Sequence, residues 1–515
     1  MANPVSDALL QQAGIGGDPL VTASALLQQG QTDAARDLLA DLVKKNPRRA
    51  DAWFSLGQLH TMLGELKAAA QAFKRAIQLS PDVVDGYVNL GNTYLRLDRV
   101  GQAIETYRNG LKQQPEQPLL HFNLGIALSR SGNLPAAIAS YQTAIRLHPA
   151  YAQAYFSLGN AYRDAGQIDE AEAAYRKAVA LESGYADAFA NLAGLLATKE
   201  DFLGAIENCL KTVALVPNHP HALRNMSLSL YKIGEYEQGA EVTFRAIAAA
   251  PSDTMLQYHM GEMLYGMIRT GKSEQAQRYA RQWQETCAKD PIAQHMAAAI
   301  LGENAPARAD DTYVRETFDR FASDFETTLA GLGYRVPEML CAAMEQRLEG
   351  RRGLTILDAG CGTGLCAPLL KPLARTLVGV DLSGGMLAKA KARGLYDSLH
   401  EAELGRFLAD TADRYDMTVA ADVFCYFGQL DPTLKAIAAK TTPGGLLGFT
   451  VEAMQGASPA QGFKLGPTGR YQHDEGYVRR ALQDAGFSIL SLEQTHGREE
   501  MGQPVPCFMV IARRD

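Results

Sequence analysis

Apolar residues in the first three fifths of the chain recur at the spacing of amphipathic helices. The clearest pair of apolar stripes consists of Trp53, Leu56, Leu59 and Leu63, followed by Ala69, Phe73, Ala76 and Ile77. A proline follows the second stripe at Pro81 and ends that helix, because proline lacks the backbone N–H that the next turn needs. The pattern predicts helix-turn-helix hairpins that follow one another along the chain.

Three markers of these hairpins recur with a period of 34 residues. Prolines stand at Pro47, Pro81, Pro115, Pro149, Pro217 and Pro251, with Ser183 at the missing step. Glycines stand at Gly57, Gly91, Gly125 and Gly159, and are followed in the same register by Ala193 and Ser227. A second small-residue column runs through Ala35, Ala69, Ala103, Ala137, Ala171, Ala205 and Gly239. Small residues at fixed places predict close contact between the two helices of each hairpin.

The order aromatic, Leu-Gly, Ala, aromatic, Ala, Pro at this spacing resembles the tetratricopeptide repeat. The resemblance covers about residues 13–292 and implies an α-solenoid, a superhelix of about eight repeats over residues 1–300. Arrays of this kind usually bind extended peptides on their concave face. The last repeat departs from the period, because Pro291 follows Pro251 by forty residues. We expect it to be an adapted cap that packs against the part of the chain that follows.

One column on the first helix of each hairpin is rich in asparagine. It contains Asn89, Asn123, Asn191 and Asn225, with Ser157 at the step between. An amide side chain donates and accepts hydrogen bonds at once and can hold a peptide backbone. The column resembles the asparagine ladder of O-linked N-acetylglucosamine transferases, which implies that these residues bind a protein or peptide substrate. The alternative is that asparagine is a consensus residue that bonds locally within its hairpin.

The second part of the chain begins with a linker and then changes its pattern. Residues 301–311 have linker composition, and the predicted domain boundary lies near residue 305. Two helices follow, with Phe318, Phe321 and Phe325 spaced for one face. Strand patterns then alternate with helices, at 354–359, 376–381, 416–422, 446–452, 487–493 and 507–512. This order predicts an α/β doubly wound, Rossmann-like domain over residues 312–515.

The first of these strands runs into a glycine-rich turn, Gly360-Cys361-Gly362-Thr363-Gly364. The spacing G-x-G-x-G differs from the dinucleotide fingerprint G-x-G-x-x-G, and no Gly-Lys-Ser/Thr follows, which excludes a P-loop. Asp381 ends the next strand 21 residues after Gly360, where a carboxylate would meet the ribose hydroxyls of a bound nucleoside. The turn and the carboxylate together predict a nucleoside site.

The stretches Leu357-Asp-Ala-Gly-Cys-Gly-Thr-Gly364 and Gly379-Val-Asp-Leu-Ser-Gly-Gly-Met386 resemble class I S-adenosylmethionine-dependent methyltransferases. The resemblance implies that S-adenosylmethionine is the cofactor, that S-adenosylhomocysteine is its product and that no metal is needed. The residues that it implies at the cofactor are Asp358, Gly360, Cys361, Gly362, Asp381, Leu382, Met386, Glu403 and Asp422. The arrangement is most similar to the ubiquinone and menaquinone branch of small-molecule enzymes, and the fusion resembles bacterial repeat-containing methyltransferases.

Four residues are predicted to frame the methyl acceptor: Asp422, Tyr426, Tyr471 and His473. Asp422 and Tyr426 follow the fourth strand of this family's sheet, and His473 lies on a predicted loop after the fifth. His473 is the preferred general base, since histidine titrates near neutrality. A histidine that only orders the loop is the alternative reading.

Composition narrows the functional classes. The chain has 515 residues with 50 basic and 57 acidic side chains, and this net charge of −7 argues against a general nucleic-acid surface. No apolar run is long enough for a membrane span, and Met1 to Asp7 lack the basic start of a signal peptide, so a cytoplasmic location is expected. Seven cysteines without a CxxC pair predict reduced thiols rather than disulfides or zinc.

Two functions follow from these patterns. In the first, the repeats bind a protein or peptide substrate and present it to the methyltransferase site. In the alternative, the enzyme methylates a small molecule at O, N or C, and the repeats serve recruitment or oligomerisation. The acceptor atom and the oligomeric state are left open by the sequence.

Overall fold

The structure is a computed structural model that describes residues 18–303, 305–500 and 503–515. The predicted start of the repeats at residue 13, the segment 1–7 and Asn304 of the predicted linker lie outside the described residues. The chain forms two compact units that divide between Ser229 and Leu230. The boundary expected near residue 305 falls inside the second unit, and the domain limits predicted from the sequence stay predictions.

The first unit consists of consecutive helices joined by short turns. Their bounds are α1 Pro19–Gln28, α2 Thr32–Lys45, α3 Ala50–Met62, α4 Leu66–Leu79, α5 Val84–Arg96, α6 Val100–Gln113, α7 Pro118–Arg130, α8 Leu134–Leu147, α9 Ala152–Asp164, α10 Ile168–Leu181, α11 Ala186–Thr198, α12 Phe202–Leu215 and α13 Pro220–Lys232. Each 34-residue repeat is thus one helical hairpin, as predicted. Helix α13 crosses the division between the two units.

The glycine column marks where the two helices of a hairpin touch. A Cβ on Gly91 would lie 2.3 Å from the ring of Tyr107, and one on Gly125 would lie 2.5 Å from the ring of Tyr141. Both tyrosines are almost completely buried. The predicted close contact is confirmed, because only a residue without a side chain leaves room for the aromatic ring of the partner helix.

The second unit begins with helices that continue the hairpin pattern and then changes to α/β. Its helices are α14 Tyr236–Ala249, α15 Thr254–Arg269, α16 Ser273–Thr286, α17 Pro291–Leu301, α18 Asp311–Phe321, α19 Phe325–Gly331, α20 Val336–Gln346, α21 Ala367–Leu370, α22 Gly384–Ala392, α23 Leu404–Asp410, α24 Asp431–Lys440 and α25 Glu475–Asp484, with a 3-10 turn at Phe424–Tyr426.

The last repeat packs against the α/β part, as expected of an adapted cap. The ring of His295 on α17 stacks on Tyr313 of α18 at a centroid distance of 4.3 Å. The Nε2 of His295 lies 2.8 Å from the carbonyl oxygen of Gly469, in the turn between β6 and β7. The repeat with the longer proline spacing, from Pro251 to Pro291, is therefore the one that packs against the following domain.

Among the residues that the structure describes, the sheet has nine strands: β1 Leu354–Ala359, β2 Ala374–Asp381, β3 Ser398–Glu401, β4 Tyr415–Ala420, β5 Thr441–Ala453, β6 Phe463–Leu465, β7 Tyr471–His473, β8 Phe487–Glu500 and β9 Gln503–Arg514. Strands β3, β2, β1, β4 and β5 pair in this order and in parallel. Strand β9 adds antiparallel to β5, and β8 adds antiparallel to β9. The six predicted strands are present. The short strands β3, β6 and β7 were missed, because three or four residues carry no readable alternation.

Both faces of the sheet are buried. Leu357, Val378 and Val380 belong to one apolar cluster, and the alternate residues Ile356 and Leu377 belong to the cluster on the other face. Since packing occupies both faces, ligands have access at the carboxyl ends of the strands, where the order reverses between β1 and β4. Within the described residues, no helix combines the length and apolarity needed to cross a bilayer.

Candidate functional site

The glycine-rich turn after β1 has positive φ angles, which residues with a side chain adopt only at a cost in free energy. Gly360 has φ +66° and Gly362 has φ +53°. A Cβ on Gly360 would lie 2.4 Å from Cγ2 of Val423. The N–H groups of Gly360 and Cys361 both donate to the carbonyl oxygen of Val380, at 2.8 and 3.0 Å. The turn is therefore pinned to the end of β2, with its backbone facing the carboxyl edge of the sheet.

Asp381 lies where this turn meets the end of β2. Its Oδ2 accepts from the N–H of Gly362 at 2.8 Å, and its Oδ1 accepts from the N–H of Ser383 at 2.9 Å. Burial raises the pKa of Asp381 above its ordinary value, and the backbone donors act in the opposite direction. Each carboxylate oxygen has a further lone pair, so the group can still accept from a ligand hydroxyl.

A cavity of about 1080 Å³ opens at this edge of the sheet; we call it the first cavity. Seven of the predicted site residues line it: Gly360, Gly362, Asp381, Leu382, Glu403, Asp422 and Tyr426. Residues predicted from four separate stretches of the sequence thus line one cavity.

Three residues predicted at the cofactor do not line this cavity. Asp358 is 1% exposed, and its Oδ2 accepts a hydrogen bond of 2.6 Å from the hydroxyl of Tyr396. Burial raises the pKa of Asp358 to about 7. Cys361 and Met386 are also buried. These side chains support the turn and the start of α22 from behind the cavity wall.

Two residues predicted at the acceptor also lie away from the wall. The hydroxyl of Tyr471 donates to the carbonyl oxygen of Pro306 at 2.8 Å. His473 is completely buried, and its Nε2 lies 3.1 Å from the carbonyl oxygen of Gly428. The expectation of a loop at His473 was wrong, because the residue belongs to β7, which pairs with the end of β5. Burial lowers the pKa of His473 to about 4.

Glu403 lines the cavity at the end of β3 and caps α23. Its Oε2 accepts from the N–H of Arg406 at 2.8 Å, and its Oε1 lies 3.5 Å from Nη1 of Arg308. Arg308 also donates to Asp311 at 2.7 Å and lines the cavity. Sequence reasoning missed Arg308, because it stands in the stretch that was interpreted as a linker.

The opposite wall of the first cavity is apolar and comes from the segment before the sheet. Phe318 on α18 and Phe325 on α19 line it, with their ring centroids 6.0 Å apart. Tyr426 packs edge-on against Phe318 at 5.5 Å. Phe321 was expected on the same face and is not, because the helix turns it away from this cavity. Further lining residues from this segment are Val314, Leu329, Leu332 and Tyr334.

A buried ionic cluster closes the floor of the cavity. Asp422 follows β4 with φ +55°, a left-handed conformation that is strained for a residue with a side chain. Its Oδ2 accepts from Nη1 of Arg498 at 2.8 Å, and its Oδ1 accepts from the hydroxyl of Thr450 at 2.9 Å. Arg498 also donates to Glu452, and Nη1 of Arg470 lies 3.7 Å from the same carboxylate. The two arginines are absent from any motif and reach the site only through β8 and the turn before β7.

The asparagine side chains of this column contact other residues of the first unit. The Nδ2 of Asn89 donates to the carbonyl oxygen of Asp85 at 2.8 Å, and that of Asn123 donates to Leu119 at 2.7 Å. Asn191 donates to Oδ1 of Asn160 at 2.8 Å. Asn225 packs near Gly194, whose Cβ would lie 3.0 Å from its Nδ2. The bonds of Asn89 and Asn123 lie within one helix and agree with the local reading, whereas the bond of Asn191 reaches the preceding hairpin. A peptide-binding role remains a prediction.

Comparison with known families divides the chain in the same way. The family model described as tetratricopeptide repeat matches residues 20–83, 88–154, 127–186 and 156–220. A model described as methyltransferase domain matches residues 332–492.

Similar proteins match in part. Methyltransferase-like protein 27 of Homo sapiens is 43% identical over 91 residues, which are 17% of this chain and 37% of that protein. Ubiquinone biosynthesis O-methyltransferase of Brucella ovis is 31% identical over 119 residues, which are 22% of this chain and 48% of that protein. The chain therefore spans less than half the length of either curated relative. The solved structure of magnesium protoporphyrin IX methyltransferase from Synechocystis PCC 6803 is 20% identical, with a TM-score of 0.31 over 40% of this chain and 100% of that one.

The cavity at the reversal of strand order, the glycine turn pinned to β2 and the two family matches lead to one assignment. This chain joins an array of tetratricopeptide repeats to a methyltransferase domain of the class I fold.

Proposed function

We propose that this chain transfers a methyl group from S-adenosylmethionine to an acceptor in the first cavity. The observation that carries the proposal is the meeting of the Gly360 to Gly362 turn and the Asp381 carboxylate on one wall of that cavity. The apolar wall with Phe318 and Phe325 faces the same space. One wall of the first cavity is therefore suited to a nucleoside, and another wall is apolar.

The residues present fit the donor. The absence of a side chain at Gly360 and Gly362 leaves backbone against which the methionine part can pack. The remaining lone pairs of Asp381 would accept from the two ribose hydroxyls. Leu382 would pack on the adenine ring, and Glu403, already a helix cap, would face the adenine amine.

Methyl transfer needs placement more than proton chemistry. S-adenosylmethionine supplies an electrophilic methyl group on a sulfonium. The apolar wall of α18 and α19 excludes water and holds the acceptor in line with that methyl, which is the larger part of catalysis for an in-line displacement. Asp422 and Tyr426 lie on the cavity wall and would orient the acceptor group, while the hydrogen bond from Arg498 holds the Asp422 carboxylate in place.

We infer that the reacting part of the acceptor is an apolar or aromatic group of a small molecule. The lining of Phe318, Phe325 and Leu329 supports this, since it offers an apolar packing surface. The Brucella ovis relative is named ubiquinone biosynthesis O-methyltransferase, which is in accord with such a group.

A second candidate function is methylation of a protein or peptide held by the repeats. The observation in its favour is the 34-residue register of Asn89, Asn123, Asn191 and Asn225 on successive hairpins. Tetratricopeptide repeats generally mediate protein interactions. The bonds that these amides already make within the protein weaken the case, although their side-chain carbonyl oxygens have further acceptor capacity.

Calorimetric titration with S-adenosylhomocysteine tests the donor half of the proposal. We expect wild type to bind and Asp381→Ala to bind at least about tenfold more weakly, which corresponds to about 1.4 kcal/mol or more. Asp484→Asn, on the exposed end of α25, is the matched control and should bind like wild type. Equal affinity of Asp381→Ala and wild type would contradict the assignment of the ribose contact.

Incubation with methyl-labelled S-adenosylmethionine and a host lysate tests the acceptor half. We expect label in small molecules, and we expect it to persist when Asn89, Asn123, Asn191 and Asn225 are all changed to Ala. Label in a polypeptide that disappears in this fourfold variant would favour the peptide function instead.

A further inference from the structure

A second cavity of about 810 Å³ lies on the other side of α18. Its walls come from α15 and α17 of the last repeat and from α18. The 3-10 turn at Tyr426 and the turn between β6 and β7 at Thr468 complete them. All of these elements belong to the second compact unit. The function proposed above makes no use of this space.

Helix α18 is the wall between the two cavities. Val314 and Phe318 line the first cavity, whereas Tyr313 and Thr317 line the second. Tyr426 and Arg470 line both cavities. The two spaces therefore share these two side chains as part of their walls.

The second cavity presents a carboxylate that the protein leaves unpaired. Glu262 on α15 lines it, and within the part of the chain that the structure describes its carboxylate has no hydrogen bond and no ion pair within 4.0 Å. Burial raises the pKa of Glu262, whereas the charges of Arg320 and Lys232 act to lower it. The Glu262 side chain is partly exposed toward this space, so its carboxylate can accept a hydrogen bond from a ligand N–H group.

A guanidinium faces the same space. Arg320 lies over the ring of Tyr258 at 4.1 Å and over that of Phe321 at 4.5 Å. Its Nη1 contacts the sulfur of Met255 at 3.7 Å. A guanidinium stacked in this way directs its N–H donors along its plane, where they suit a carbonyl or carboxylate oxygen. Glu262 and Arg320 form no ion pair with each other, so one ligand group can lie between them.

We propose that the second cavity is the other half of the acceptor site, and that the acceptor is a two-part molecule. At its apolar end an O, N or C nucleophile would take the methyl group in the first cavity, with S-adenosylhomocysteine as the leaving group and the proton of the nucleophile released to solvent. Its other end passes Tyr426 and Arg470 and carries an N–H donor for Glu262 next to an oxygen acceptor for Arg320, as an amide or an amino-acid group does. Tyrosine rings of α15 and α18 pack on the connecting part. The inference rests on the proposed methyltransferase function and specifies its substrate.

Three variants of the full chain test it with methyl-labelled S-adenosylmethionine and a host lysate. Glu262→Gln and Arg320→Gln remove one partner each, and Thr468→Trp fills the second cavity from a surface turn. We expect each to reduce label in the acceptor at least tenfold, while S-adenosylhomocysteine binds within twofold of wild type. Separation of the label by size tells whether the donor-and-acceptor group belongs to a peptide or to a free small molecule.

Two matched controls accompany these variants. Glu274→Gln removes an exposed carboxylate from α16, and Ser458→Trp adds the same bulk to an exposed loop. Both should label like wild type. Unchanged labelling in all three test variants overturns the second cavity as an acceptor site while methyltransferase activity stands. A wild-type protein that binds no S-adenosylhomocysteine, or labels nothing, overturns the proposed function and the inference with it.

Discussion

The hydroxyl of Ser383 donates a hydrogen bond of 2.5 Å to Oδ1 of Asp319. The same oxygen accepts from the N–H of Gly385 at 3.0 Å, and the N–H of Ser383 donates to Asp381 at 2.9 Å. One carboxylate of α18 thus holds the turn that carries Asp381. Because α18 also packs on the last repeat through His295 and Tyr313, it links that repeat to the wall of the first cavity.

Asp319 is predicted to position the donor wall without touching the donor. Asp319→Ala frees the hydroxyl of Ser383 and the N–H of Gly385, so the turn after β2 loses its fixed geometry. We expect S-adenosylhomocysteine to bind about tenfold more weakly in calorimetry, a cost of about 1.4 kcal/mol. Asp324→Ala, which removes an exposed carboxylate close to α19, should leave the affinity unchanged. Equal losses in both variants would mean a general effect on the segment.

Gly394 provides a matched control for Gly360, which lies on the wall of the first cavity. Both have φ +66°, but a Cβ on Gly360 would meet Val423 at 2.4 Å, whereas one on Gly394 would meet nothing within 4 Å. Alanine at either place costs about 1–2 kcal/mol of backbone strain. We expect only Gly360→Ala to abolish binding of S-adenosylhomocysteine in calorimetry. Retained binding would show that the turn moves away from Val423 without loss.

Arg498 is predicted to be a large contributor to the stability of the α/β domain. Its side chain is 4% exposed and pairs with Asp422 and Glu452. Arg498→Leu leaves the buried carboxylate of Glu452 and the partly exposed carboxylate of Asp422 without this partner, at a cost of roughly 3–5 kcal/mol. At about 2–4 °C per kcal/mol for a domain of this size, the melting temperature should fall by about 10 °C in scanning fluorimetry.

The control for this variant is Arg352→Leu, which breaks the exposed pair with Glu345. Its melting temperature should stay within about 2 °C of wild type, because exposed ion pairs contribute at most about 1 kcal/mol. A similar small change in Arg498→Leu would mean that the two carboxylates find other partners or take up protons.

His473 predicts an acid-sensitive component of stability. Its folded pKa is lowered to about 4 by burial, so between about pH 6.5 and 4 the unfolded chain binds a proton that the folded chain does not. The contribution of His473 is complete above pH 6.5 and is lost as the pH falls to 4. In His473→Gln this loss should vanish from the melting temperature measured against pH, whereas exposed His400→Gln should retain it.

The same variant addresses the predicted base role. A buried histidine with a pKa of about 4 is neutral at pH 7 and does not line the first cavity. We expect the pH dependence of methyl transfer by His473→Gln to match that of wild type. Loss of an inflection in that profile, with donor binding unchanged, would restore His473 as the general base.

The sequence by itself determined the repeats, the fold class and one wall of the first cavity. Periodicity is a local property, so the 34-residue repeat predicted the hairpins and the close approach of their two helices. The turn at Gly360 and the carboxylate of Asp381 were readable because each follows a strong strand pattern, and parallel strands bring their carboxyl ends together.

Only the tertiary structure decided the rest of the site. Arg498 and Arg470 reach the cavity from β8 and from the turn before β7, far along the chain from Asp422, and no motif marks them. Phe321 shares its spacing with Phe318 and faces another cavity, because α18 is packed on both sides. His473 changed from a loop residue to a buried strand residue for a related reason. Which face of an element meets a cavity depends on everything that packs around it, and that information is not local in the sequence.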